Sequence, residues 1–135
     1  MSDWNQQITD EFRANDGRVG GMFAGAPLLL LHHAGARTGT QRVTPLMYQA
    51  IPTGYAVFAS KAGADSNPDW FYNVTANPET RVEVGTETVQ VAVRMADGEE
   101  YDDIWSRQKR EWPQFAEYEE QTARAVIPVV VLERS

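Results

Sequence analysis

The sequence predicts an α+β fold in which a curved antiparallel sheet or small barrel carries helices on its flanks. Apolar runs of strand length follow one another through short turns before any long helix intervenes, unlike the strict strand–helix alternation of a parallel sheet. A later run alternates apolar and polar residues with a period of two, the pattern of a strand with one buried face. The 135 residues suit one domain, 1–135, and a chain of this length buries roughly two-thirds of its unfolded surface.

The elements follow in order. Residues 3–14 form a helix capped by Ser2 or Asp3, because Trp4, Ile8 and Phe12 recur every four residues. The linker DGRVGG comes next. Strands are expected at 27–33, 42–51 and 55–60, joined by Gly35–Gln41 and by Pro52-Thr53-Gly54. Pro45 falls inside the second strand, so it belongs on an edge or at a bulge, where no ladder donor is needed. After a loop at 61–66, Asn67 as cap and Pro68 at the first helical position open a helix that Pro78 ends. Strands at 81–84 and 88–95 follow; in the second, Val89, Val91 and Val93 alternate with Thr88, Gln90 and Ala92. Asp97 and Glu100 form a capping-box pattern for a helix over 98–111. A further helix at 114–124 and a buried strand at 127–133 complete the α-βββ-α-ββ-αα-β order.

Composition excludes several functions. With no cysteine there are no disulfides, thiolate nucleophiles or cysteine-bound metals, which fits a reducing cytosol. No signal-peptide layout opens the chain, and its longest apolar run falls far short of the roughly 20 residues of a membrane span, so a soluble cytoplasmic protein is expected. His32 and His33 are neighbours on a strand and point to opposite faces, so they cannot chelate one ion, and no metal site is expected. No nucleophile elbow, Walker motif or dinucleotide fingerprint occurs.

Charge is unevenly distributed. The chain holds 19 acidic and 12 basic residues, yet 17–64 contain no Asp or Glu and carry Arg18, Arg37, Arg42 and Lys61. An acidic protein with a local cationic stretch suits a small anion and repels nucleic acid. Within that stretch, Gly35-Ala-Arg-Thr-Gly-Thr-Gln-Arg42 offers flexible backbone, the hydroxyls of Thr38 and Thr40, and two guanidinium forks suited to phosphate or carboxylate. Its plain alternative is a hairpin loop with solvated arginines. Ser60 and Lys61 stand where a strand opens into a small-residue loop, a weak signal alone. Trp70 and Asn73 share a helical face that could stack on a planar ring and bond its edge, or simply lie in the core. Trp112, Phe115 and Tyr118 recur every three residues, as an aromatic wall or as core. Together these features favour an organic anion with a planar portion, and any redox chemistry would belong to that cofactor.

The motifs GRVGG (17–21), APLLLL (26–31), G-x-R-[ST]-G (35–39) running into RVTPLMY (42–48), ASKAGADSNPDWFYNVTANP (59–78), WPQFAEY (112–118) and IPVVVLE (127–133) occur in that order. Together they resemble the deazaflavin-dependent nitroreductase family of actinobacteria, over nearly the whole chain. The resemblance implies a split β-barrel, like those that bind FMN, with about six mainly antiparallel strands and flanking helices. It also implies coenzyme F420, a deazaflavin with a phosphate and an oligoglutamate tail, and hydride transfer from its C5 to a small-molecule acceptor, a quinone or a nitroaromatic.

By the same resemblance, Arg37 and Arg42 hold the phosphate region of the coenzyme and Lys61 makes a further tail or phosphate contact, with Thr38 and Ser60 as further candidate cofactor-binding residues. The segment Val43, Thr44, Pro45 and Met47 lies along its ring, and Trp70 and Asn73 stand close by. Met47, Trp112, Phe115 and Tyr118 line the acceptor pocket, and the hydroxyl of Tyr118 or Ser60 manages the proton. This chain has HHAGARTG where relatives often have TT-x-G-R-[KR]-[ST]-G, so Ala36 replaces a basic residue. Trp112 and Phe115 replace pocket tyrosines, leaving an apolar pocket that suits a flat quinone. A storage protein for the deazaflavin, or an FMN-binding barrel, is the rival reading. A homodimer is compatible with the sequence, and stable membrane insertion is not expected.

Overall fold

The computed structural model describes residues 3–18, 27–124 and 126–134, with the side chains of 3–5 and 62 outside that description. Ser2, the Trp4 ring and linker residues 19–26 therefore lie outside the described residues. Helix α1 (Asp3–Ala14) precedes strands β1 (Leu28–Ala34), β2 (Gln41–Ile51) and β3 (Gly54–Phe58). A short 3-10 turn at Lys61–Gly63 leads to α2 (Asp69–Ala76), followed by β4 (Glu79–Val84) and β5 (Glu87–Met95). Helices α3 (Gly98–Glu111) and α4 (Gln114–Gln121) come before the last strand, β6 (Val129–Arg134).

The six strands close into a barrel in the order β1-β2-β3-β6-β5-β4, every neighbouring pair antiparallel. The leucine run of β1 is explained by burial on both faces. Leu29 and Leu31 point into the barrel with Tyr55, Val57, Val82, Val91, Val130 and Leu132. Leu28 and Leu30 point outward against Phe12 of α1. Helix α2 adds Trp70 and Val74 to the inner core, while α3 and α4 pack Ile104, Trp105 and Phe115 over Phe58, Ile127 and Val131 in a second core outside the barrel.

Several boundaries differ from expectation, because side chains are engaged elsewhere. Helix α2 begins one residue late, with Pro68 in the cap position, since Asn67 Oδ1 accepts a hydrogen bond from Arg124 Nη1 at 2.5 Å. Asp97 occupies the cap position of α3 without a side-chain cap, and Glu100 instead forms a two-pronged pair with Arg94 at 2.5 and 2.7 Å. Helix α4 stops at Gln121 because Thr122 Oγ1 donates to the Ala64 carbonyl and the Ala123 N–H donates to Asp65 Oδ1. β3 ends at Phe58, which leaves Ser60 beyond the strand.

Candidate functional site

Strand β2 outruns its neighbour. Its residues 41–47 pair with β1, but β3 reaches only Tyr48–Ile51, so the near half of β2 has one open side. The Tyr48 N–H donates to the Pro27 carbonyl, on the β1 side, at 3.0 Å. Backbone groups alternate sides along an antiparallel strand, so those of Gln41, Val43 and Pro45 point to the open side. Pro45 thus sits on a free edge, where its missing N–H costs no ladder bond. Val43 and Met47 pack outward against Phe12 and Ile8 of α1, which backs the strip with apolar surface.

The strip starts at the β1–β2 turn. Bonds from Gly39 N–H to the Gly35 carbonyl (2.8 Å) and from Gly35 N–H to the Thr40 carbonyl (2.9 Å) close this turn. Gly39 has φ +70°, a conformation that favours glycine. Thr38 Oγ1 donates to Thr40 Oγ1 at 3.0 Å and accepts the Thr40 N–H at 3.3 Å. Arg37 and Arg42 are exposed at either side of the turn, and Lys61 is exposed in the segment linking β3 to α2. None of the three has a carboxylate partner among the described residues.

Helix α2 ties the turn down. Asn73, 7% exposed, accepts the Ala36 N–H on Oδ1 at 2.9 Å, and its Nδ2 lies 2.9 Å from His33 Nδ1. His33 Nε2 in turn lies 2.8 Å from Thr44 Oγ1. Because Ala36 N–H can only donate, Asn73 Oδ1 is the acceptor and Nδ2 the donor. Neutral His33 is then protonated on Nε2, and its N–H points at Thr44. Burial, with Arg42 and His32 nearby, lowers the His33 pKa from 6.5 to about 4 against a weaker opposing pull from Asp69. His32 faces the other way and meets Glu83 Oε2 at 2.7 Å, beside Arg13.

The loop after β3 is clamped from the far side. Arg124 donates to the Ala59 and Ser60 carbonyls at 2.7 and 2.8 Å as well as to Asn67 and Thr122. Gly63, at φ +82°, lets the loop approach α4: a Cβ there would lie 3.0 Å from Gln121 Oε1 and 3.2 Å from the Tyr118 Cα. The 3-10 turn that carries Lys61 thereby packs against α4, with Gly63 beside Tyr118. Met47, Trp112 and Tyr118 pack around the same outer core as Phe58 and Phe115. The four residues expected to line an acceptor pocket therefore gather on one flank.

Placement separates the expected site residues into two kinds. Arg37, Thr38, Arg42 and Lys61 are exposed, and Val43, Thr44, Pro45, Met47, Trp112 and Tyr118 are half-buried. Trp70 and Phe115, each 5% exposed, are core groups, and the amide of Asn73 is occupied within the protein. Sequence reasoning missed His33 and Arg124. Strand parity offered a signal for the first, since His33 shares the inward face of Leu29 and Leu31 and a buried imidazole needs partners. Nothing local marks Arg124.

A cavity of about 220 Å³ lies elsewhere, under α1, lined by Phe12, Arg13, Asp16, Glu83 and Gly85 to Thr88. Its arginine is held by Glu83 and the rest is acidic or neutral, so it does not suit an anion. No cluster of three His, Asp or Glu able to hold a metal occurs among the described residues, and no helix there is long and apolar enough to cross a membrane.

The fold is a closed six-stranded antiparallel barrel in which one strand keeps an open edge beside exposed cations that have no carboxylate partner among the described residues. The chain matches the F420H(2)-dependent quinone reductase family over residues 4–134 and belongs to it. It is 35% identical over 127 residues to the F420H(2)-dependent quinone reductase Rv1261c of Mycobacterium tuberculosis, covering 91% of this chain and 85% of that one. Among solved structures, an F420-H2 dependent reductase (FDR-A) superposes with a TM-score of 0.70 at 37% identity, covering 79% of this chain and 94% of the other. A domain-swapped dimer superposes with a TM-score of 0.71 at 34% identity, covering 97% and 98%.

Proposed function

We propose that this chain is a reductase that uses reduced coenzyme F420 to deliver a hydride to a quinone. The observation that carries the reading is the free edge of β2, 41–47, running from exposed, unpaired Arg37 and Arg42 in a chain of this family. When bound, the coenzyme supplies the hydride from its C5. The chain supplies position. Arg37, Arg42 and Lys61 take the phosphate and carboxylates, with Thr38 and Ser60 as neutral partners, each charge-assisted bond contributing roughly 1.5–3 kcal/mol. Backbone groups of Val43 and Pro45 meet polar atoms on the ring edge, and Thr44, whose oxygen accepts from His33, still has its own O–H to donate.

The flank of Met47, Trp112 and Tyr118 excludes water and stacks a flat acceptor near the ring. Phe115 supports that flank from behind, and Trp70 and Asn73 support the strip from the core. The hydroxyl of Tyr118 or of Ser60 delivers the proton that the reduced quinone needs. The whole chain works as one coenzyme-binding barrel in the cytoplasm, and the domain-swapped relative supports a homodimer.

Anaerobic mixing of the protein with reduced F420 and a quinone tests the reading. We expect oxidation of the coenzyme well above the protein-free blank, with nitroaromatics run alongside as a second acceptor class. Tight binding without oxidation by any acceptor would point to storage. Displacement of F420 by FMN at equal concentration would point to the flavin.

A further inference from the structure

We infer that His33 is a positioning residue for the coenzyme-binding turn, acting through Asn73 to hold the backbone that presents Arg37. The inference rests on the proposed F420 site and extends it to a side chain that touches neither ligand. The geometry is a relay across three elements. The Thr44 oxygen on β2 takes the His33 Nε2–H, His33 Nδ1 takes the Asn73 Nδ2–H, and Asn73 Oδ1 takes the Ala36 N–H in the turn.

Each member has a single workable orientation. Asn73 can hold Ala36 only with its oxygen forward, which leaves its NH₂ facing the imidazole. That NH₂ is buried and needs an acceptor, and an unprotonated Nδ1 is what it meets. Loss of the acceptor leaves a buried amide donor unsatisfied. Turning the amide over instead would aim its NH₂ at the Ala36 N–H, two donors face to face, and release the turn from α2. Ala36 immediately precedes Arg37, so slack at Ala36 displaces the guanidinium directly. Ordering that turn at the moment of binding then weakens affinity.

Two substitutions separate positioning from packing. Leucine at this site fills similar space but accepts nothing from Asn73. Glutamine carries both an acceptor for Asn73 and a donor for Thr44. The readouts are hydrogen exchange at the Ala36 amide without ligand, and the dissociation constant of oxidised F420 by fluorescence. We expect His33→Leu to speed Ala36 exchange and to weaken F420 binding roughly tenfold, about the effect of one buried hydrogen bond. His33→Gln should restore both. If His33→Leu keeps the Ala36 protection and the affinity of the unaltered protein, or if His33→Gln fails as His33→Leu does, the inference is overturned alone. If the unaltered protein binds no F420, the functional reading falls and takes this inference with it.

Discussion

The basic residues of this chain are engaged to different degrees in two regions. In the acid-free stretch 17–64, Arg18, Arg37, Arg42 and Lys61 have no ion-pair partner among the described residues. Outside it, Arg13, Arg94, Arg107 and Lys109 each hold a carboxylate, Arg124 is wrapped in carbonyl and hydroxyl oxygens and Arg134 lies on Tyr55, while Arg81 and Arg110 are exposed without an ion pair among the described residues. The difference lies in sequence composition before it lies in structure. A chain with 19 acids offers many of its cations a nearby carboxylate, and a segment purged of acids keeps its positive charge available. The same residue type is thus a staple on one flank and a free hand at the open end of β2.

Breaking that contrast should produce effects of graded size. Replacing Arg37 and Arg42 together by alanine removes two charge-assisted contacts of roughly 1.5–3 kcal/mol each, so F420 affinity should fall about a thousandfold. Thermal melting should stay close to that of the unaltered protein, because neither guanidinium is held by the fold.

A second effect comes from His33 and is read in stability. The unfolded residue takes up a proton near pH 6.5, the folded one only near pH 4. Between those values the unfolded chain binds more protons, so stability should drop as the pH falls through that window and level off below it. A displacement of that size amounts to about 3 kcal/mol at most. Urea midpoints measured from pH 7 to 4.5 should show the decline, and His33→Gln should remove it. Glu83, whose pKa the Arg13 hydrogen bond depresses, gives up its contribution only further down, below its ordinary 4.5.

Third in size is Arg124→Ala. It frees two backbone carbonyls of the 59–60 segment and should cost about 2 kcal/mol of unfolding free energy, read by denaturant titration. Smallest is Arg107→Ala, which deletes an exposed pair with Glu111 and should shift stability by about 0.5 kcal/mol or less, leaving F420 affinity unchanged.

Much of the barrel was legible because strands buried on one or both faces write their pattern into the chain. The alternation in β5 and the double-sided leucines of β1 both reflect a physical burial pattern. Helix ends were less legible. Asn67 and Glu100 carry capping chemistry, yet Arg124 and Arg94 claim them, and those claims come from 57 and 6 residues away. The stretch that carries the exposed cations Arg37, Arg42 and Lys61 could be read from charge alone. Its supports could not: Trp70 and Asn73 face the core, and the clamp on the 59–60 carbonyls reaches in from the far end of the chain. Closure of the barrel also conceals the overhang of β2, since only the lengths of two neighbouring strands, compared in register, reveal that one side of 41–47 is bare.

That bare margin would ordinarily be a hazard, because an unpaired strand border is a template on which a neighbouring polypeptide can zip. Pro45 interrupts it near the middle. A second strand needs an unbroken row of donors and would stall at the gap, whereas a compact ring needs only one or two. One missing hydrogen therefore discourages fibre-like stacking of the protein upon itself and leaves the margin open to the small planar guest proposed above.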